Sequence, residues 1–437
     1  MRVAVVGTGI SGLVAARVLA ARHDLAVFEA NDYVGGHTHT QDVEVEGQQY
    51  VVDTGFIVFN QRAYPNFIAL LRALGVASQA TSMSFSVRDD RARSANTRGI
   101  VGLEYGGETL RGVFAQPSNA LRPRFWRLLR DILRFGREYH ELLNPGSDSA
   151  AIDESTGLAD YLRARRYSPQ FIEQYARPIG AAIWSAAPEM MNHFPARHFV
   201  RFFNHHGVLD VRNAPQWRFI TGGSRRYVQA LIAPFQARIR LTAKVQRVTR
   251  HSDHVQLTFA NGDEERFDHV VLATHSDQAL ALLSAPTQAE REVLGAIPYQ
   301  LNDVTLHTDA SLMPRSRRAW ASWNYLVPAA AQERVAVTYW MNLLQAIPCP
   351  TPLLVSLNCE ERIDPRKILK RLRYHHPVYT PQTIAAQARH AEISGADRVH
   401  YCGAYWKYGF HEDGVDSALA ATRYFGLDLT AITESIP

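Results

Sequence analysis

The first 29 residues constrain this 437-residue chain more than any other stretch. Val3-Ala-Val-Val6 is rich in β-branched residues, the composition of a buried parallel strand. Gly7-Thr8-Gly9-Ile10-Ser11-Gly12 follows at once, and Leu13 to Ala20 has helical character. A second apolar strand, Leu25-Ala-Val-Phe28, ends on Glu29. Strand, glycines, helix, strand and acid therefore come in the order of a dinucleotide-binding unit. Gly7 permits a tight turn, Gly9 lets backbone approach a pyrophosphate, and Gly12 lets helix and strand pack closely. Ser11 falls in the first helical turn, whose free N–H groups and dipole favour an anion. Glu29 stands where an acid bonds a ribose 2′-hydroxyl and repels a 2′-phosphate, which disfavours NADP.

The residues beyond Glu29 narrow the dinucleotide. Asn31-Asp-Tyr-Val-Gly35-Gly36-His37-Thr38 places a Gly-Gly just after the second strand, as a flavin-type site does to bring backbone against the diphosphate. No second GxGxxG follows a strand later in the chain. With FAD in the one such site, a nicotinamide cofactor has no evident place. That favours an oxidase or desaturase over an NAD(P)H-dependent reductase.

Composition adds limits. Hydrophobic residues make up 46% and charged residues 20%, so disordered, collagen-like and coiled-coil readings are excluded. The formal charge of +5 is too small to imply nucleic acid unless it is clustered. Cys349, Cys359 and Cys402 are an odd number without a CxxC pair, which disfavours a disulfide framework or structural zinc and suits a reducing compartment. The N-terminal apolar run is too short for a signal peptide, and no run approaches the ~20 residues of a membrane span. The expected location is the cytoplasm, with possible peripheral contact at the inner membrane face.

Several further motifs carry a resemblance. They are Gly35-Gly-His-Thr-His-Thr40, Asp53-Thr-Gly-Phe-Ile-Val-Phe-Asn60, Tyr64-Pro-Asn66, Asn204-His-His-Gly207, Pro215-Gln-Trp217, Thr338-Tyr-Trp-Met-Asn342 and Tyr408-Gly-Phe-His-Glu-Asp-Gly414. With them the chain resembles the flavin-containing amine oxidase and phytoene desaturase superfamily. Within it, the chain is similar to flavoproteins often encoded in bacteria beside cyclopropane-fatty-acid-synthase-like methyltransferases. Plants fuse a similar domain to the N-terminus of their cyclopropane fatty acid synthases. The chain departs in having His37 where the superfamily usually has an arginine after the Gly-Gly, and Lys407 and Ala418 where glycine is common.

The resemblance implies an α/β amine-oxidase-like fold of two domains. A Rossmann-like FAD-binding domain would comprise residues 1–80, 208–285 and 386–437. A mixed-sheet substrate domain would comprise 81–207 and 286–385, with a helical part at 120–200. The cofactor-binding residues would be Gly7, Gly9, Ser11, Gly12, Glu29, Gly36, His37, Thr38, Gly55, Phe56, Val245, Gly403, His411, Gly414 and Val415. Val245 would lie beside the adenine, and a helix starting at Gly414-Val415 would face the flavin. Candidates for the chemistry are His411, Tyr325 and Asn342.

Local patterns set further expectations: a hairpin over 42–52, a helix over 65–75, a single strand over 80–87, a helix over 123–143 and a loop over 144–155. Asn261-Gly262 marks a hairpin between strands at 255–259 and 267–273. The pairs His205-His206 and His375-His376 are adjacent in sequence and point apart, so no metal site is expected, and neither a Ser-His-Asp elbow nor HExxH occurs. Trp184, Trp323, Tyr325, Tyr339, Trp340, Tyr405, Trp406 and Tyr408 are candidates to line an apolar channel. Arg124, Arg127, Arg130, Arg134 and Arg137 alternate with Phe125, Leu128, Leu129, Ile132 and Leu133, a pattern suited to anionic phospholipid. Further basic clusters lie at 163–166, 315–318 and 366–373, and no nucleic-acid module accompanies them.

The residues point to an FAD-dependent oxidoreductase; the resemblance implies that it removes a hydride from a fatty acyl chain and has a functional link to a fatty-acid methyltransferase. An amine substrate is the alternative within enzymes. A non-catalytic escort that binds prenylated partners is the alternative outside them, against which the complete glycine fingerprint argues.

Overall fold

The computed structural model describes residues 1–91, 100, 102–107, 109–138, 153, 155–207, 214–330 and 333–434. The expected first unit forms as β1 (Arg2–Val6), α1 (Ile10–Leu19) and β2 (Asp24–Phe28). β1 and β2 pair in parallel from Arg2↔Asp24 to Val6↔Phe28. Among the described residues they sit in a five-stranded parallel sheet ordered Ile239–Arg240, β2, β1, His269–Leu272, Val399–Tyr401. Parallel strands covered on both faces need continuous apolar runs, and Val3, Val5, Val27, Val270 and Val271 are fully buried.

The hairpin forms as β3 (Thr40–Val45) and β4 (Gln48–Asp53), turning through Glu46 and Gly47 at positive φ. The Asn261-Gly262 turn forms, with Gly262 at φ 89°, but the strand paired with Val255–Phe259 is Glu264–Phe267, not 267–273, because His269–Leu272 pairs in parallel with β1. Two further expectations are corrected. Residues 80–87 are not one strand. The chain breaks after Ser78–Thr81, and Phe85–Asp89 joins a different sheet. The break follows from partners, because Arg218 and Trp217 pair with the first piece and Trp323 to Val327 with the second. The helix expected over 123–143 is described as α2 (Pro123–Glu138), and its last residues, with most of the expected 144–155 loop, lie outside the described residues.

The second large sheet has seven strands and is mixed. Its edge strand is β5 (Ile368–Pro377), followed by Tyr299–His307, Leu354–Leu357, Val337–Trp340, Trp323–Val327, Phe85–Asp89 and Glu104–Gly106. All pairs are antiparallel except Trp323–Val327 with Phe85–Asp89. β5 was missed because its lysines and arginines read as a charge cluster; on an edge strand such residues are favoured, since charge discourages edge pairing.

Three further helices bear on the site: α3 (Ala196–His206), α4 (Arg225–Ile232) and α5 (His411–Arg423). α1, α4 and α5 share one apolar cluster, while α2, α3 and the seven-stranded sheet share another. Among the described residues no helix is long and apolar enough to cross a membrane. All three cysteines are buried and free.

Candidate functional site

The glycine loop between β1 and α1 is built by exclusion. Gly7 has φ 103°, and a Cβ there would lie 2.8 Å from the Ala273 carbonyl oxygen. A Cβ on Gly12 would lie 2.0 Å from the Gly7 carbonyl oxygen, so the helix sits directly on the loop. Gly9 is the reverse case: a Cβ there would meet nothing within 4 Å. No side chain caps α1, and no acid lies in its first turn, which leaves its N–H groups without a side-chain acceptor.

A second loop closes on the first. Gly36 has φ 58°, and its added Cβ would be 3.0 Å from Gly9 Cα. His37 follows, and its carbonyl accepts from the Phe56 N–H at 3.0 Å. Gly55 lies so close beneath it that a Cβ would be 2.0 Å from the His37 oxygen. The Asp53-Thr-Gly-Phe motif is thereby stitched to the Gly-Gly-His motif.

Glu29 is anchored more firmly than its expected ribose role requires. Its Oε2 accepts from Thr8 N (2.9 Å) and Thr8 Oγ1 (2.5 Å), and its Oε1 from Asn31 N and Nδ2 (both 2.9 Å). Four donors fill the acceptor capacity of one carboxylate. Glu29 therefore holds the glycine loop in shape, and a ribose hydroxyl must replace one of those donors.

The C-terminal motif reaches the same place. α5 begins at His411, not at the expected Gly414-Val415. The helix starts earlier because Asp413 accepts from the N–H groups of Tyr408 (3.2 Å) and Phe410 (2.9 Å), satisfying donors that would otherwise be free. Gly414 then falls in the first turn, where a Cβ would be 2.6 Å from Ile10 Cγ2 and 3.0 Å from Ser11 Oγ. The positive ends of α1 and α5 thus meet, an arrangement that attracts anionic groups. Val415 is fully buried against α1. Gly403 donates its N–H to Ser417 Oγ at 2.9 Å and lies under the Tyr405 ring.

His411 stacks on Phe56 with centroids 3.5 Å apart, and its Nε2 is 3.0 Å from both Thr38 Oγ1 and Tyr227 OH. Burial pushes its pKa well down, so the imidazole is neutral. Burial likewise lowers His37 and His275 to about 4 and His376 to about 3. These three rings gather where the second glycine loop, residue 275 and β5 meet. Among the described residues no group of histidines, cysteines or carboxylates can hold a metal.

Val245 opens the strand Val245–Arg250 of a three-stranded antiparallel sheet and is buried with Val6, Phe28 and Phe259. Tyr325 is buried on Trp323–Val327, and burial raises its pKa beyond the ordinary phenol range. Asn342 has no atom to spare for chemistry. Its Nδ2 donates to the Cys349 and Thr351 carbonyls, and its Oδ1 accepts from Leu353 N, so it clamps a loop.

The expected aromatic channel also divides. Tyr405 and Trp406 pack beneath the parallel sheet, and Trp323 and Tyr339 pack on each other in the mixed sheet. Trp184 and Tyr408 do meet, through Trp184 Nε1 and the Tyr408 carbonyl at 3.3 Å. Around them stand Phe194, His198, Phe202 and Tyr379, which sequence reasoning passed over. The signal was in α3, whose His198, Phe199, Phe202 and His206 recur at helical spacing. His198 Nε2 and Tyr379 OH are buried and have no partner. Burial takes the His198 pKa down to about 3.

The donor set fits a dinucleotide. Uncapped N–H groups at the start of α1, an open Gly9 and an unpartnered buried His37 Nε2 suit a diphosphate. Glu29 and the second glycine loop flank that point.

Comparison with known proteins gives the same answer. The family described as flavin containing amine oxidoreductase matches residues 10–317, more than half of the chain. A Mycobacterium tuberculosis protein named flavin-containing monoamine oxidase AofH is 28% identical over 273 residues, 60% of this chain and 54% of its own. The chain thus spans about half the length of the curated relatives it matches. Cyclohexylamine oxidase from Brevibacterium oxydans has a similar fold, with a TM-score of 0.67 at 15% identity over 97% of this chain and 99% of its own. A CLA-producing fatty acid isomerase from P. acnes gives 0.65 at 14% identity over 97% and 98%. The chain belongs to the flavin-containing amine oxidoreductase family, whose members are FAD-dependent oxidoreductases.

Proposed function

We propose that this protein oxidises or desaturates a fatty acyl chain of a methylated or unsaturated lipid, by hydride transfer to FAD. The observation that carries the reading is the buried aromatic cluster of Trp184, Phe194, His198, Phe202, Tyr379 and Tyr408. Its two unpartnered polar atoms, His198 Nε2 and the Tyr379 hydroxyl oxygen, belong to neutral groups. Aromatic surroundings suit methylene chains, and a neutral imidazole and phenol suit an ester or carboxyl oxygen.

Hydride acceptance is the chemistry that bound FAD supplies. The chain's own residues do the rest. The first-turn N–H groups of α1 would bind the diphosphate, Glu29 holds the glycine loop in shape, and His411, stacked on Phe56 and bonded to Thr38 and Tyr227, stays neutral. Aromatic side chains around a reacting carbon would exclude water.

An amine substrate is the second reading. Aromatic faces also attract ammonium groups, and two of the similar proteins are named as amine oxidases. The purified protein is to be mixed without oxygen with acyl lipids or with cyclohexylamine and putrescine. Loss of the flavin's visible absorbance with lipids supports the acyl reading. Loss with amines alone refutes it.

A further inference from the structure

The surface of α2 is the place where the scattered arginines meet exposed apolar side chains. Nine large hydrophobic residues are exposed among the described residues, and four of them fall between 110 and 133: Leu110 (79%), Leu121 (86%), Trp126 (52%) and Leu133 (53%). The helix itself explains two of these. Its buried face carries Phe125, Leu128 and Phe135, while Leu133, expected on that face, points to solvent. Trp126, Arg130, Leu133 and Arg137 follow at i, i+4, i+7 and i+11, a single outward stripe of alternating apolar and cationic residues. Trp126 is held in place by its Nε1 bond to the Ala120 carbonyl (2.8 Å) and by Phe114, 5.6 Å between centroids.

The fold brings other basic clusters to this stripe. The short helix Leu110–Val113 abuts Arg317 and Arg318: a Cβ on Gly112 would be 3.1 Å from the Arg318 carbonyl. At the far end, Arg134 Nη2 donates to the Arg165 carbonyl at 3.1 Å. Arg134 itself is occupied, paired with Glu138 at 2.6 Å and lying over the Tyr167 ring. Among the described residues Arg111, Arg124, Arg127 and Arg137 make no ion pair, and Arg130 reaches only Asp131, at 3.5 Å. The cluster on and before β5 differs. Arg366, Lys367, Arg371 and Arg373 are matched by Asp364, Asp309, Glu360 and Asp303.

We infer that the α2 surface, with Leu110 and Leu121 beside it, docks the protein on an anionic phospholipid bilayer. A lone charge patch would serve any polyanion. Tryptophan and leucine side chains interleaved with unpaired arginines fit a surface that is anionic at its headgroups and apolar beneath them. The buried face of α2 belongs to the same apolar cluster as Trp184 and Phe202. This inference stands on the surface residues and not on the acyl substrate; a protein that docks but oxidises amines would satisfy it.

The test is co-sedimentation of the flavin-loaded full chain with vesicles of phosphatidylcholine alone or of an equimolar mixture with phosphatidylglycerol. Binding to the mixed vesicles, weakened by salt, is expected. Arg127→Gln with Arg130→Gln and Arg137→Gln should weaken it roughly 100-fold. Leu121→Ser with Leu133→Ser should weaken it while leaving its salt dependence unchanged. Unfolding midpoints confirm that both variants fold. Equal binding by wild type and the arginine variant overturns the inference. So does binding to heparin without binding to mixed vesicles, or no vesicle binding at all.

Discussion

Replacing Glu29 by Gln separates the two roles open to this side chain. In the folded protein its two oxygens receive four hydrogen bonds, two of them from the backbone N–H groups of Thr8 and Asn31. A glutamine keeps one acceptor oxygen and turns an NH2 toward the other pair of donors. At least two bonds to a charged acceptor are lost, and a buried N–H is left without a partner. At about 1.5–3 kcal/mol for each such bond, the loss comes to roughly 3–6 kcal/mol, a large share of a domain's total stability. Urea unfolding of the FAD-free protein reads this directly, because no ribose is then present. Glu29→Gln should shift the midpoint strongly even without cofactor. Thr8→Val, which removes only the hydroxyl, should cost about half as much. A Glu29→Gln protein as stable as wild type without FAD, yet weak in FAD binding, would refute the loop-anchoring role and leave only the ribose contact.

Two further perturbations follow from buried groups. Burial raises the Asp53 pKa from 3.8 to about 6, against its bonds from Thr40 and Ser224. A raised folded pKa means that Asp53 contributes stability below about pH 4, lost as pH rises through about 6. Asp53→Asn should flatten that part of the stability–pH curve, and an unchanged slope would contradict the assignment. Tyr379→Phe removes an unpartnered buried hydroxyl and should raise stability by about 1 kcal/mol. If Tyr379 holds a substrate oxygen, the same change should raise KM; a variant that is neither more stable nor weaker in substrate binding would contradict both statements.

Local chemistry explains what the sequence made legible. The glycine loop could be read because Gly7 and Gly12 are each demanded by a close backbone contact, and such demands leave a fixed spacing. Parallel strands buried on both faces announce themselves as continuous apolar runs. The start of α5 was misplaced because Asp413 caps from inside the helix, a contact made by a folded turn rather than by composition. Asn342 resembled a polar site residue, yet its partners are loop carbonyls brought near only by the fold. The aromatic list failed as a single channel because Tyr405 and Trp406 pack in one apolar cluster and Trp184, Trp323, Tyr325, Tyr339 and Tyr408 in another. Charge clusters were visible as runs, but only the fold pairs Arg163, Arg315 and the 366–373 cluster with acids while leaving Arg124, Arg127 and Arg137 of α2 without an ion pair among the described residues.

The two glycine loops and the joined ends of α1 and α5 would hold FAD between them. The direct measurement is the absorption spectrum of the purified protein before and after added FAD, with mass analysis of the released cofactor. One FAD per chain and a yellow protein are predicted. A colourless protein that stays colourless with excess FAD would contradict the central claim.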